Sequence, residues 1–189
     1  MDVECPGLTG VQSRTRTAIL DATVSVLARD RSATLPEIAA AAQVARSTLH
    51  RYFTDRDRLI EEATLHSIRV VNDCIAAAAT EEGSAIDAMR RLITILVPQG
   101  DRLVFLFHDP NVLRGMTPEN QPTRAPIFDL IVRGQREGAF DAQLSPEWIG
   151  IALFGLLGKA SSEAAAGTVP RHSIVASLIR IFECGVVPH

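Results

Sequence analysis

The sequence predicts an all-α protein of about nine helices. Apolar residues recur three or four positions apart along most of the chain, which is the spacing of one buried helix face. Proline, glycine and helix-capping residues separate these periodic segments. No segment predicts a β-strand of consequence, and no internal repeat is found. These observations favour an N-terminal three-helix domain that contains a helix-turn-helix, followed by a larger C-terminal helical domain.

Charge divides the 189-residue chain into a basic N-terminal part and an acidic remainder. The formal net charge is −3, which by itself does not suggest a nucleic-acid partner. From Arg14 to Arg58, however, eight arginines stand against five acidic residues, whereas from Leu59 onward eleven basic residues stand against fifteen acidic ones. A basic segment on an acidic remainder suits a protein that presents one face to phosphates.

Several functional classes find no support in the sequence. Cys5, Cys74 and Cys184 are odd in number and widely scattered, so they indicate a reducing cytoplasm and neither a disulfide framework nor a metal cluster. We find no nucleophile motif, no Gly-rich phosphate loop, no signal peptide and no apolar run that approaches about eighteen residues. We therefore expect a cytoplasmic protein that is not an enzyme, needs no cofactor or metal, and does not enter a membrane.

The chain is expected to begin with a disordered arm, residues 1–12. Pro6, Gly7 and Gly10 interrupt this segment, and it has no apolar period. The first helix should run from about Ser13 to Arg29 and pack across the two short helices that follow it. Its predicted buried stripe consists of Ile19, Ala22, Thr23, Val26 and Leu27.

Residues 34–59 predict a helix-turn-helix. Thr34 can cap the first helix, and Glu37, three residues later, completes a capping box. Ala39 is small at the point where the second helix, about Arg46 to Phe53, must cross the first. In such a motif the second helix enters the major groove of DNA.

The second helix of this motif carries most of the residues expected to contact DNA. Arg46 can donate to O6 and N7 of a guanine, and hydroxyl groups can bind phosphate. The predicted DNA contacts are Thr34, Arg46, Ser47, Thr48, His50, Arg51, Tyr52 and Arg56. The alternative interpretation is a plain helical hairpin in a bundle, whose arginines form an ordinary solvated face.

Six further helices are predicted after the motif. Ser84 begins another capping box, Gly138 ends a helix in the position that favours glycine, and Ser145 caps the eighth helix. We divide the chain into the arm, a helix-turn-helix domain of residues 13–55, and a C-terminal domain of residues 56–189. The predicted later helices are Arg56–Thr80, a helix from Ser84 to Val97, Asp101–His108, Ala125–Glu137, a helix that starts at Pro146, and Arg171–Glu183.

Helices 8 and 9 carry more apolar surface than one subunit can cover. The run from Trp148 to Leu157 is apolar almost all round, and the stripe on helix 9 is too wide for one surface. A two-fold contact of four helices is the simplest closed arrangement that buries the excess, so we predict a homodimer. Its predicted interface residues are Gly155, Gly158, Ile174, Leu178, Ile181 and Phe182.

The segment IAAAAQVARSTLHRYFTDRDRL, residues 38–59, resembles the DNA-binding core of the TetR family of transcriptional repressors. The positions that agree with the family pattern are Ile38, Ala39, Ala42, Val44, Thr48, Leu49, Phe53 and Leu59, with Arg46 and Arg56 where lysines are usual. Gln43 departs from the pattern, because the family usually has glycine there, and a positive φ would cost this residue roughly 1 kcal/mol. Ala45 replaces the usual Ser or Thr cap, and His50 and Tyr52 are exchanged.

The resemblance implies a ligand-responsive repressor that binds a palindromic operator as a dimer and releases it when a small, mostly apolar effector binds. It also implies that the C-terminal domain holds the effector and the dimer contact, and that helix 4 transmits the signal. The candidate pocket residues are His66, Phe105, Met116, Phe128, Trp148 and Phe154, with core packing as the alternative role of each. The alternative function is an all-α small-molecule-binding or interaction protein whose helix-turn-helix does not read DNA.

Overall fold

The computed structural model describes residues 10–109, 111–114, 116–165 and 170–187. In these ranges the chain is all-helical, as predicted, with nine α-helices and two short 3-10 turns, Val97–Gln99 and Pro118–Asn120. None of the described helices is long and apolar enough to cross a membrane. The helices are α1 (Gly10–Arg29), α2 (Leu35–Ala41), α3 (Arg46–Tyr52), α4 (Arg56–Ala77), α5 (Ala85–Leu96), α6 (Gly100–Phe107), α7 (Ala125–Arg136), α8 (Pro146–Ala165) and α9 (Arg171–Val186).

Two helix ends differ from the prediction. Helix α1 begins at Gly10, so residues 10–12 are helical and do not belong to an arm; residues 1–9 of the predicted arm lie outside the described residues. Helix α4 ends at Ala77, three residues before the predicted end, and Ala79 then takes a φ of 45°. A left-handed residue cannot continue a right-handed helix.

The predicted capping residues are in place. The Glu37 carboxylate accepts hydrogen bonds from the Thr34 backbone N–H at 2.6 Å and from the Thr34 hydroxyl at 2.7 Å. The Ser84 hydroxyl accepts from the Asp87 backbone N–H, and the Ser145 hydroxyl accepts from the Trp148 backbone N–H, both at 3.2 Å. Ala45 precedes α3 without a side-chain cap, as the sequence implied. No side chain therefore stabilises the first turn of α3 by capping.

The turn between α2 and α3 adopts the strained conformation that the sequence suggested. Gln43 has a φ of 56°, in the left-handed region. Its N–H donates to the Ala40 carbonyl and the N–H of Val44 donates to the Ala39 carbonyl, both at 3.0 Å. This pair of hydrogen bonds is the Schellman motif, which ends a helix and in which glycine is the usual left-handed residue. The turn therefore keeps the geometry of a glycine turn with a side chain present.

Helices α1, α2 and α3 form a small unit, hereafter the α1–α3 unit (residues 10–52), that shares its core with α4. Ala39 is buried where α2 and α3 cross, and Ile38, Leu49 and Phe53 are also buried. The small side chain of Ala39 lets the two backbones approach closely, as the spacing predicted. Helix α1 packs against α2 and also against α4 and α6, so this unit is continuous with the rest of the protein.

Helices α4 to α9 form the larger part, hereafter the body (residues 56–187). Helices α6 and α8 make the tightest described approach, because a Cβ on Gly100 would lie 1.6 Å from the Ser161 Oγ. The glycines of α8 that were predicted to allow close approach do not have this role within the subunit. A Cβ on Gly155 would meet nothing within 4 Å, and one on Gly158 would only touch Val104 at 3.8 Å.

The buried face of α9 corrects the predicted dimer stripe. Ile174, Leu178 and Phe182 recur every four residues and are all buried against the subunit's own core, so they are not available to a partner. The ring of Phe182 packs edge-on against Phe140 at 6.3 Å between centroids. Ile181 follows Leu178 by three residues on the same broad face of the helix, but it is 57% exposed. Periodicity grouped Ile181 with Ile174 and Leu178, whereas the packing of α9 buries the first two and leaves Ile181 uncovered.

Replacing Gln43 with glycine is expected to stabilise the protein. A left-handed conformation costs an ordinary residue roughly 1–2 kcal/mol, while glycine loses about 0.5–1 kcal/mol more conformational entropy on folding. We expect Gln43→Gly to raise the free energy of unfolding by about 0.5–1 kcal/mol in chemical denaturation. Ala41→Gly, two residues earlier and within α2, should lower the same quantity by a similar amount. Destabilisation by both substitutions would contradict the strained-turn interpretation.

Candidate nucleic-acid interface and ligand cavity

The outer face of α3 is polar, exposed and basic. Arg46, Ser47, His50 and Arg51 are exposed, and the residues between them turn inward, with Leu49 fully buried. Arg46 Nε lies 3.5 Å from His50 Nε2, one turn away on the same face. The buried Leu49 holds this face outward, so the side chains most suited to base contacts project away from the core.

A contact between a basic and an aromatic side chain keeps Arg51 close to α3. The Arg51 guanidinium lies 5.5 Å from the centre of the half-buried Tyr52 ring. Thr48 is half-buried beside them. Hydroxyl and guanidinium groups so placed can contact the phosphates on either side of a groove.

Nearby acidic residues neutralise some of the arginines but not those of α3. Arg16 pairs with Glu62, and Arg58 pairs with Glu62 at 3.0 Å and with Glu61 at 2.8 Å. Among the residues that the structure describes, no ion pair with a carboxylate is found for Arg14, Arg46 or Arg51. The uncompensated positive charge is therefore concentrated on and near α3.

The structure gives Arg56 a different role from the predicted phosphate contact. Its guanidinium donates from Nη1 to the Ala33 carbonyl and from Nη2 to the Arg31 carbonyl, the latter at 2.8 Å. These bonds join the first residue of α4 to the loop between α1 and α2. With donors on two backbone carbonyls, Arg56 positions the α1–α3 unit, and its phosphate contact stays a prediction.

Thr34 is also engaged within the chain. Its hydroxyl donates to Glu37, and the hydrogen bonds from Thr34 hold the pKa of the Glu37 carboxyl below its ordinary value. A phosphate at Thr34 would approach this ionised carboxylate and be repelled by it. The local geometry therefore favours a capping role for Thr34 over the predicted DNA contact.

A cavity of about 850 Å³ lies in the body, between α6, α7 and α8. The ring of Phe107 packs at 5.7 Å from that of Phe154, and the Arg124 guanidinium lies 5.4 Å from the Phe107 centroid. Phe128 also lines the cavity, and Ala28 brings the end of α1 to its wall. An apolar aromatic wall with a few charged groups is the usual composition of a small-molecule site.

Only two of the six predicted pocket residues, Phe128 and Phe154, line this cavity. On α6 the cavity is lined by Leu103, Val104 and Phe107. Phe105 lies on the other side of this helix and is fully buried. Trp148 is 66% exposed at the start of α8. The half-buried Met116 and His66 are not among the lining residues either. The roles of these four residues at an effector site stay predictions that this cavity does not support, because residue type does not reveal which side of a helix faces a cavity.

His66 belongs to a polar junction of three helices. Its Nε2 lies 3.0 Å from Oδ1 of Asp21 on α1, and Arg102 Nη2 of α6 donates to the same oxygen at 2.6 Å. Burial raises the pKa of the Asp21 carboxyl, but the bonds and charges from His66 and Arg102 outweigh it and hold the pKa below its ordinary value. The junction therefore contains an ionised carboxylate that ties α1 to α4 and α6.

Arg31 makes a second connection between the α1–α3 unit and the body. From the loop after α1, its Nη2 donates to the Phe105 carbonyl at 2.6 Å, and its guanidinium lies 5.2 Å from the centre of the Phe105 ring. Burial lowers the pKa of Arg31, an effect partly opposed by the charge of Asp109. A carbonyl in the last turn of a helix lacks an intrahelical donor, and Arg31 supplies one.

Exposed apolar side chains are found on α8 and at the end of α9. Trp148, Ile151 and Ile181 are each more than half exposed. Helices α8 and α9 pack against each other, so these side chains lie on neighbouring elements. Large exposed apolar side chains on adjacent helices favour contact with another macromolecule.

Sequence reasoning missed Arg31, Phe107 and Arg124. Phe107 had a signal, since residues 103–107 are all apolar, but nothing local separates it from Phe105. Arg31 and Arg124 stand in loops or at helix starts, where the sequence pattern carries no directional information.

Among the described residues, no group of three His, Cys, Asp or Glu side chains could hold a metal ion.

Comparison with known proteins adds independent information. The family model described as "Bacterial regulatory proteins, tetR family" matches residues 19–63. The HTH-type transcriptional repressor LfrR of Mycolicibacterium smegmatis is 32% identical over 182 residues, which cover 94% of this chain and 93% of LfrR. The HTH-type transcriptional regulator NfxB of Pseudomonas aeruginosa is 31% identical over 162 residues, 77% of this chain and 84% of NfxB.

Solved structures agree with these sequence relationships. The crystal structure of LfrR from Mycobacterium smegmatis matches with a TM-score of 0.76 at 30% identity, over 95% of this chain and 100% of that chain. The structure of LfrR in complex with proflavine matches with a TM-score of 0.70 at 31% identity over the same shares. The similarity therefore extends over the α1–α3 unit and the body.

Proposed function

The chain belongs to the TetR family of bacterial regulatory proteins, and from that premise we propose that it is a repressor that binds a palindromic operator as a homodimer. In this proposal a small, mostly apolar effector enters the body cavity and releases the DNA. Residues 13–55, with α1 extended to Gly10, are the DNA-binding domain, and residues 56–189 bind the effector and the partner subunit. The protein acts on DNA in the cytoplasm.

The exposed basic face of α3 is the observation that carries the DNA-binding proposal. Arg46 stands at the start of the helix with no carboxylate partner among the described residues, and His50 lies beside it. We assign base reading to Arg46, with guanine the expected base. Ser47, Thr48, His50, Arg51 and Tyr52 then contact phosphates and set the register.

The exposed apolar residues of α8 and α9 support the proposed dimer. Ile151, Ile181 and Trp148 would be covered by the same surface of a second subunit, since a two-fold contact is self-complementary. The exposed Gly155 lies on the same helix, and both Gly155 and Ile151 also line the cavity, so in this proposal the partner subunit covers one side of the cavity. Two recognition helices related by this axis would enter successive major grooves about 34–36 Å apart.

The aromatic wall of the cavity supports a flat, largely apolar effector. Phe107, Phe128 and Phe154 offer ring faces and edges, and Arg124 over Phe107 adds a polar anchor. Proflavine, a flat tricyclic dye, is bound in a related structure and is a suitable probe for this site. An effector can release DNA only if it binds the two conformations of the protein with different affinity.

Substituting Arg46 should affect sequence recognition, whereas substituting Arg56 should affect stability. We expect Arg46→Ala to weaken operator binding by roughly 1–3 kcal/mol and to relax preference at one base pair, with an unchanged melting temperature. Arg56→Ala should lower the melting temperature, because two backbone carbonyls lose their donor. The operator is first selected from random duplexes. Fluorescence anisotropy at several salt concentrations then measures the affinity of Arg46→Ala for the operator and for a scrambled duplex. An equal loss on both duplexes would make Arg46 a phosphate contact and Ser47 the next candidate.

Placing a charge on the exposed side of α9 should break the dimer without unfolding the subunit. We expect wild-type protein to sediment as a dimer at micromolar concentration and Ile181→Glu to sediment as a folded monomer, because a carboxylate would be buried unpaired in the contact. Val11→Glu is the control, since it adds the same charge at an equally exposed apolar residue of α1. A monomeric wild type in analytical ultracentrifugation would refute the dimer.

Removing an aromatic wall residue should weaken binding of the probe. Phe154→Ala loses one partner of the Phe107 pair, and we expect the affinity for proflavine to fall about fivefold, equivalent to about 1 kcal/mol. Leu156→Ala, on the same helix but away from the cavity lining, should change the affinity little. Titration of the free protein by proflavine fluorescence, in the absence of DNA, checks this. Equal effects of the two substitutions would place the dye elsewhere.

A further inference from the structure

Helix α6 presents different sides to the cavity and to the α1–α3 unit. Leu103, Val104 and Phe107 line the cavity. Arg102 and Phe105 lie on the other side, where Arg102 bonds to Asp21 of α1 and the Phe105 carbonyl accepts from Arg31. A molecule that displaces the cavity side of this two-turn helix must therefore move the groups that hold α1 and its loop.

Helix α4 is less directly connected to the cavity. None of the described lining residues belongs to α4, whereas α1 contributes Ala28 and α6 contributes three residues. Helix α4 reaches the cavity wall only through its packing on other helices. The expectation that helix 4 transmits the signal stays a prediction, and an element that lines the cavity must act before it.

From these contacts we propose that Arg31 is the positioning residue that couples the cavity to the DNA-reading helices. The inference rests on the proposed function and specifies how the effector regulates DNA binding. It does not require Arg31 to touch either ligand. Instead, Arg31 transmits the position of the C-terminal turn of α6 to the loop between α1 and α2.

The contacts beyond Arg31 continue toward both ends of the helix-turn-helix. The backbone carbonyls of Arg31 and Ala33 both accept from Arg56, the first residue of α4. Thr34, the next residue, caps α2. A shift of the loop therefore reaches α2 directly and reaches α4 through Arg56. Because α3 packs against α2, its orientation follows.

Arg31 is suited to this task by the nature of its contacts. A bond from a guanidinium to an otherwise unpaired helix-end carbonyl is directional and charge-assisted. The cation–π contact with Phe105 adds a second attachment of the guanidinium, to a fully buried ring 5.2 Å away. Neighbouring Arg29 differs, since it makes only a 3.8 Å ion pair with Asp101 and is 60% exposed. An exposed pair of this kind contributes little and transmits little.

Hydrogen exchange on the full chain tests the coupling from both ends. Saturating operator duplex should slow exchange of the amides of residues 103–108 in wild-type protein, although these residues lie far from the DNA. Proflavine, added without DNA, should change exchange of residues 30–53. Coupling between two binding sites is reciprocal, so both remote effects should be present together. Arg31→Ala should weaken both remote effects while the direct effect at each binding site persists, since the bond from Arg102 to Asp21 still joins α6 to α1.

Two further variants separate coupling from simple destabilisation. Arg31→Lys keeps the charge but loses the stacked, planar donor, and it should retain the fold with a reduced remote effect. Arg29→Ala should retain the wild-type remote effects. Binding of both ligands by Arg31→Ala with unchanged remote effects would overturn the inference alone. A wild-type protein that binds no duplex would overturn the proposed function. If the wild type binds operator but not proflavine, the effect of operator on exchange of residues 103–108 decides the coupling.

Discussion

The attachment of α1 to both parts of the molecule is the constraint on which the rest of the structure depends. Its inner face packs on α2 within the α1–α3 unit and on α4 and α6 of the body. Asp21, in the middle of the helix, accepts from His66 and Arg102, and Arg31 follows its end. The DNA-binding helices are consequently not a module on a flexible tether. Their orientation is determined by helices that also form the cavity wall.

This arrangement explains how an acidic protein can present a basic face. Several arginines of the first sixty residues serve the fold, since Arg16 and Arg58 pair with glutamates and Arg31 and Arg56 bind backbone carbonyls. The charge left for phosphates is carried mainly by α3. Composition alone overstates the number of arginines available to DNA, because a guanidinium is equally useful for terminating helices and joining loops.

The recognition helix itself has little local stability. It has seven residues, no side-chain cap and a strained residue in the turn before it. An isolated helix of this length would not form in water, so burial of Leu49 and Phe53 against the other helices must hold it. A helix maintained by tertiary packing follows its neighbours when they move, which suits the proposed release of DNA by an effector.

The sequence by itself determined the helices, most of their ends and the helix-turn-helix, including the strain at Gln43 and the missing cap at Ala45. These features depend on residues within one or two turns of each other, so short-range patterns reveal them. The tertiary structure decided which side of each helix meets the cavity, the core or solvent. It placed Phe107 on the cavity and Phe105 against Arg31, and it buried Phe182 while exposing Ile181. Helical periodicity relates residues of one helix to each other, but the rotation of that helix against its neighbours depends on packing between distant parts of the chain.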